Sequence, residues 1–450
     1  MDEYYDCSLK QIDDWRKNEL YSPEILISDF KIEDMDLNMF KCAYIKVLNK
    51  HESLRTIFIK INGILKQKIL KGTFEEGFGL HILPNLEVCY SAQSILNAVT
   101  SDFKDVSKPP IYKVFVQHQS HGESKVFIAL HHIVGDARSM EILAKELNFA
   151  YQQLLNGVNE PFPDRYFQLK DYVSVKNLEA SLLSAKLLPY WELKLEKCSI
   201  AKLINRNQLL AFNIIRGVQN YTPKIRASLK LKDSQKLTAI PQAVQAIEKE
   251  LDTNPNAAYY SFKIDSSLYH GIKDAASKLK VSIFCILYSA LSFTFYSIEG
   301  LKNTLMSLVF ADRSKDNYDA LIGHLIGSIY INYEIFEDQS MHDIIRKNYL
   351  SFILSLKYAI YDINMLSHLN LRAASQIHLN YIKMNDYVNP NFVPGHHRAT
   401  YAVYPLAVKF TETDDCIYQD ISYHMSFYTD LDIDVFVQRF LEALLQITAK

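Results

Sequence analysis

An apolar run, Val126 to Leu130, leads straight into His131-His132-Ile133-Val134-Gly135-Asp136-Ala137-Arg138-Ser139. No other stretch constrains the chain as much. Beyond it Met140, Leu143, Leu147, Ala150, Tyr151 and Leu154 recur at spacings of three and four, the period of an amphipathic helix. Strand, short turn and helix therefore follow one another, and two histidines sit where the strand ends. An apolar-walled cavity can open at such a place. An imidazole there can take a proton from an attacking hydroxyl or amine near neutral pH. Asp136 can orient a ring, pair with a buried cation or cap the helix. A histidine after a strand also commonly does no more than pack, and an Asp before a helix commonly does no more than cap it.

The chain has 450 residues, enough for a large core in one or two domains. Hydrophobic residues make up 48% and charged residues 22%, which excludes wholesale disorder. A formal net charge of -2 gives no global electrostatic reason to expect nucleic acid or an anionic membrane. The acidic start, Met1-Asp2-Glu3, has no apolar segment of the kind a secretory signal needs. Cys7, Cys42, Cys89, Cys198, Cys285 and Cys416 show no metal or redox spacing, so reduced, buried thiols in a cytoplasm are expected. Val281–Ile298 is an uncharged run long enough to cross a membrane, but Ser282, Tyr288, Ser289, Ser292 and Thr294 make a buried core helix the better reading. His118 and His121 lie in a turn between strands without a carboxylate or cysteine at ligand spacing, so a solvated hairpin loop is expected rather than a metal pair.

Further blocks stand along the chain. Ser8, Gln11 and Trp15 open it; Asp36–Leu48 is an amphipathic helix; His51-Glu52-Ser53-Leu54-Arg55-Thr56-Ile57-Phe58 follows, then Asn62-Gly63 as a hairpin signal and Gln67 on the return strand. Lys108-Pro109-Pro110-Ile111-Tyr112-Lys113 enters the strand pair before the histidines, and Asn156-Gly157 marks the end of the helix after them. Tyr166–Tyr172, Tyr190-Trp191, Ser307–Arg313, Leu321–Ser328, Pro405–Phe410 and the closing helix Asp434–Ile447 complete the series. Residues from about 199 to 257 show weak periodicity and read as a connection plus the first strand of a second lobe. For Arg55 a buried ion pair tying helix to strand is expected.

His131, His132, Asp136 and Ser139 stand in the register of His-His-x-x-x-Asp-Gly-x-Ser, and the chain resembles the condensation domains of nonribosomal peptide synthetases, in the superfamily of chloramphenicol acetyltransferase. The other blocks resemble that family's in the same order. The chain departs from the pattern at Ala137, where the family has Gly, and at Leu325 and Gly327, in the family's Phe and Asn positions.

The resemblance implies an α/β fold of two chloramphenicol acetyltransferase-like lobes in a V-shaped pseudo-dimer with a central tunnel. Residues 1–178 would form the N-terminal lobe carrying the His motif, and residues 179–450 the C-terminal lobe. It implies a condensation-type acyltransferase that forms an amide or ester from a carrier-bound or coenzyme A thioester. A catalytically silent domain that binds or recruits a carrier protein is the alternative; an epimerising relative normally sits inside a longer module. His132, His131 and Asp136 fall at the reacting centre. His132 would be the base or positioning group, His131 would pack inward and support the turn, and Asp136 would pair with Arg313. Arg313, Ala137 and Ser139 would support the site. No permanently bound cofactor and no metal are implied, since the phosphopantetheine-linked or coenzyme A thioester is substrate. Expected partners are an acyl or peptidyl carrier protein and an amine or alcohol acceptor. The chain reads as a freestanding cytoplasmic monomer without a membrane span, adenylation module or carrier module.

Overall fold

A computed structural model describes residues 3–20, 22–72, 74, 77–84, 90–119, 122–160, 167–197, 256–313, 318–336, 339–357, 375, 377–383 and 404–449. Tyr166, the connection from 199 to 255 and His121 lie outside the described residues. The chain divides into two units. Among the described residues, the first holds those up to Leu182 together with Ala311–Gly327, and the second holds the rest. A single cut after residue 178 therefore misses one segment, 311–327. Its apolar side chains explain why: Ile322 is buried in the cluster that contains Val126, Ile128 and Leu130, while Tyr318, Leu321 and Leu325 pack with Leu169, Tyr172 and Val173.

In the first unit the order is β1 (Tyr4–Asp6), α1 (Leu9–Leu20), β2 (Ile25–Glu33), α2 (Leu37–Lys50), β3 (Thr56–Ile61), β4 (Ile64–Ile69), β5 (Leu80–Ile82), α3 (Ala92–Val99), β6 (Tyr112–His118), β7 (Glu123–His131) and α4 (Ala137–Leu155). Helix α5 (Leu169–Lys197) follows. One sheet has the order β2-β7-β6-β5, and a smaller one the order β1-β4-β3. The apolar run on β7 is continuous because both faces of its sheet are covered. Val126, Ile128 and Leu130 join a cluster with Phe40, Tyr44 and Leu48 of α2 and Met140, Leu143 and Leu147 of α4. Phe127 and Ala129 turn the other way, onto Ile95 and Val99 of α3 and Phe103. Each large apolar side chain buried in this way contributes roughly 1.5–3 kcal/mol.

Local signals stand where the pattern put them. Asn62 and Gly63 take φ of 50° and 79°, the left-handed pair that a two-residue hairpin between β3 and β4 requires. Gly157, with φ of 76°, ends α4 after Asn156. Gln11 of α1 donates to Gln67 of β4 at 3.2 Å, and the Lys60 ammonium lies over the Trp15 ring. Arg55 makes a long ion pair with Glu52, 4.0 Å from Nη2, and Lys170 shares that carboxylate at 2.7 Å. The tie to the strand end is a hydrogen bond, from Arg55 Nη1 to the carbonyl of Leu70 at 2.9 Å. His118 bonds Ser124 at 2.8 Å. Cys7, Cys285 and Cys416 are buried free thiols, whereas Cys42 is exposed.

In the second unit β8 (Ala257–Ile264), α6 (Ser266–Leu279), α7 (Ile283–Glu299), β9 (Asn303–Ala311), β10 (Ile326–Glu334), α8 (Met341–Lys357), β11 (Ile377–Lys383), β12 (Leu406–Glu412), β13 (Ile417–His424) and α9 (Asp430–Thr448) follow in order. Their sheet runs β10-β9-β11-β12-β13-β8. The uncharged run before residue 299 is α7, with Cys285, Ile286, Leu287, Tyr288 and Leu291 buried in one cluster with Phe436, Phe440 and Leu444 of α9. Two of its hydroxyls bond within the helix, Ser292 donating to Tyr288 O and Thr294 to Ala290 O. Among the described residues no single helix is long and apolar enough to cross a membrane; α6 and α7 pass together on length and composition only, and are bent by 103°.

Candidate active site

His131 is the last residue of β7, and its backbone N–H donates to Ile111 O. A single 3-10 turn, His132–Val134, follows, with the His132 N–H donating to Glu24 O at 2.9 Å. Gly135 then takes an extended conformation, because Asp136 must begin a helix one residue later. A Cβ on Gly135 would stand 2.2 Å from Leu130 Cδ2, so the turn is this tight only with glycine there.

Asp136 caps α4. Its carboxylate accepts from the Ser139 N–H at 2.9 Å, and the Asp136 N–H donates to Ser139 Oγ at 3.2 Å, the reciprocal capping box. The same carboxylate accepts from Arg313 Nη2 at 2.8 Å and from the Leu325 N–H at 3.2 Å. Arg313 fixes its own loop by donating from Nη1 to Tyr318 O and Leu321 O, at 2.9 and 2.8 Å. Ser139 Oγ closes the knot by accepting from the Gly323 N–H at 3.1 Å. A Cβ on Gly323 would meet Leu169 Cδ1 at 2.5 Å and Leu325 Cδ1 at 2.8 Å, so those side chains would have to shift. Asp136 is wholly buried, and a buried carboxylate held by an arginine and two backbone N–H groups is a structural anchor rather than a proton carrier.

Ala137 is the first residue of α4, in right-handed conformation, and its side chain is exposed. No left-handed backbone is needed there, so the methyl group carries no strain.

The two histidines differ. The His131 ring is buried, and its Nδ1 accepts from the Ile133 N–H at 3.1 Å. Burial pushes it down to about 4, so it is neutral at pH 7 with its proton on Nε2. Its one lone pair is occupied by the turn, and it has none to offer as a base. The His132 side chain keeps 14% exposure. Its Nδ1 is buried with no hydrogen-bond partner among the described residues, and Nε2 is 3.9 Å from Glu24 Oε1, beyond hydrogen-bond reach.

Two residues that the motif did not flag complete the cluster. The His324 ring lies 4.1 Å, centroid to centroid, from that of His132. His324 Nδ1 is 2.6 Å from Asp14 Oδ2, and Asp14 Oδ1 is 2.7 Å from Lys10 Nζ. Burial pushes His324 down to about 4. Burial also opposes charge on Asp14, but His324 and Lys10 outweigh it and hold that carboxyl well below its usual range. A neutral ring facing a carboxylate must donate from Nδ1, so the tautomer is fixed. Asp14 shares α1 with Lys10, Asp13 and Lys17, and only the fold brings it to residue 324. Among the described residues, no group of three or more His, Cys, Asp or Glu could hold a metal ion.

Comparison with known proteins places this geometry. The family model of the condensation domain matches residues 30–248. The bassianolide nonribosomal cyclodepsipeptide synthetase of Beauveria bassiana is 22% identical over 315 residues, which is 68% of this chain but only 8% of that protein. The chain thus spans a small fraction of the curated relatives it matches. Among solved structures, the epimerization domain from the third module of tyrocidine synthetase B superposes with a TM-score of 0.70 at 16% identity, covering 99% of this chain and 98% of that one. The X-domain from teicoplanin biosynthesis, in its complex with OxyB, gives a TM-score of 0.69 at 13% identity, over 99% and 93% of the two chains. With the His-His-x-x-x-Asp turn in place and its Asp held by an arginine from a distant loop, residues 30–248 match the condensation-domain family, and the chain has the fold of solved condensation-type domains.

Proposed function

We propose that this protein is a condensation-type acyltransferase. It passes an acyl group from a thioester, carried on a carrier protein's phosphopantetheine arm or on coenzyme A, to an amine or hydroxyl. The acceptor attacks the thioester carbonyl, the C–S bond breaks, and the thiolate leaves. His132 takes the proton released by the acceptor, and it can return that proton to the thiolate. Holding the two reactants together can itself be worth roughly 7–11 kcal/mol. His131 holds the turn that presents His132, and Asp136, Ser139 and Arg313 hold the helix start behind it. The observation that carries the reading is the contrast between the two imidazoles: one has its lone pair spent on the backbone, and the other is partly exposed at the end of the strand.

A second reading is a domain that binds a carrier or another protein without catalysis. It is favoured by the His132 Nδ1, which has no acceptor among the described residues to orient it as bases usually are, and by the likeness to an X-domain solved in complex with another protein.

Intact-protein mass spectrometry separates the two. Carrier proteins loaded with candidate acyl groups are incubated with wild type and with His132→Ala, then with coenzyme A thioesters in their place. Loss of the acyl mass to an amine, an alcohol or a second carrier with wild type only supports the acyltransferase. Carrier binding by both proteins without any discharge supports the binding domain.

A further inference from the structure

Among the described residues, no hydrogen bond fixes the His132 ring. Its Nδ1 is buried without a partner among the described residues, and its Nε2 is too far from Glu24. A base needs its lone pair aimed to within a fraction of an ångström, and a 1 Å error can cost about 100-fold in rate. Something other than hydrogen bonding must hold the ring, and the neighbour that meets it is His324, tilted by 31° at 4.1 Å.

His324 is fixed where His132 is not. Its side chain is only 3% exposed, its Nδ1 bonds Asp14 at 2.6 Å, and Asp14 is in turn 2.7 Å from Lys10. The Lys10–Asp14–His324 chain anchors one imidazole against helix α1 and leaves its face against the other. We propose that His324, anchored by Asp14, is a positioning residue that sets the plane of the His132 ring. Asp14 has no hydrogen bond to His132, so its hold on the plane of that ring runs through His324, while its charge also acts on His132 directly. The inference deepens the reading of His132 as the reacting imidazole and rests on it for its role in the reaction, but not for its geometry.

The test is nuclear magnetic resonance on protein labelled with 13C and 15N in histidine. The His132 Cε1–H peak is assigned by its disappearance in His132→Gln. In wild type it is single, narrow and displaced by the ring current of His324. Asp14→Ala, two steps away, broadens or doubles it while the melting temperature stays within reach of wild type. His324→Ala does the same and removes the ring-current displacement. His324→Phe keeps a ring that Asp14 cannot bond, so it broadens the peak as Asp14→Ala does while keeping a ring-current displacement, even if His324→Ala folds poorly. A His132 peak unchanged in Asp14→Ala and His324→Ala, or left single and narrow by His324→Phe, overturns the proposal. Where acyl transfer is measurable, His324→Ala lowers kcat about tenfold or more with KM unchanged. If the peaks respond but wild type transfers no acyl group, the acyltransferase reading falls and the positioning stands. If transfer is robust and the peaks do not respond, the positioning falls alone.

Discussion

Arg313 Nη2 lies 2.8 Å from Asp136 Oδ1, across 177 residues of sequence. Neither group is free to relax. The carboxylate also accepts from Ser139 and Leu325 N–H groups, and Arg313 Nη1 is committed to two carbonyls of its own loop.

Removing one partner leaves the other charge buried. Arg313→Met is expected to lower stability by about 3–5 kcal/mol, read from the midpoint of urea unfolding. Asp136→Asn added to Arg313→Met removes the stranded charge and recovers a measurable part of that loss. A double variant as unstable as the sum of the two singles would show that the two groups act independently.

Ala137 gives a prediction of the opposite sense. Since it is an exposed residue in the first turn of α4, Ala137→Gly is expected to destabilise by about 0.5–1 kcal/mol through backbone entropy alone. A melting temperature that rises instead would mean that the methyl group is strained.

Gly135 and Gly323 sit where a Cβ would crowd leucine side chains. Gly135→Ala drives a Cβ into Leu130, and Gly323→Ala drives one into Leu169 and Leu325. Each should cost about 1–3 kcal/mol as an overpacked position, measured by calorimetry, whereas Gly63→Ala meets no atom within 4 Å and is opposed only by its φ of 79°.

Acid should loosen the first unit before it protonates the carboxylates. Burial pushes His131 down to about 4 from an unfolded value of 6.5, so between those values the unfolded chain binds a proton that the folded chain refuses. Stability from this group is complete above pH 6.5 and is lost as pH falls towards 4, by about 2 kcal/mol at pH 5. Unfolding midpoints followed from pH 7 to pH 5 should fall in wild type and fall less in His131→Asn. Equal slopes in the two proteins would remove His131 from the account.

The strand, turn and helix around the histidines were legible because each signal is local: an apolar run, an Asp cap and a 3.6-residue period. The approach of Arg313 to Asp136 came from family resemblance, not from spacing. Asp14 and His324, 310 residues apart, left no mark at all. A helix bearing Lys10, Asp13, Asp14 and Lys17 has the pattern of a surface face, and burial of one of its carboxylates depends on a loop contributed much later. The same holds for Arg55, whose neighbouring carboxylate is engaged by Lys170 of α5.

The grouping of residues 311–327 with the first unit also bears on how the protein is made. A ribosome completes residues 1–182 long before Arg313, Gly323 and His324 exist. Through that interval Asp136 and Ser139 lack the groups that close their knot, Asp14 lacks its imidazole, and the apolar slot for Ile322 stays open. Until that loop is made, the first unit therefore lacks the arginine, the backbone N–H groups and the apolar side chain that complete it, and is less stable than the finished unit.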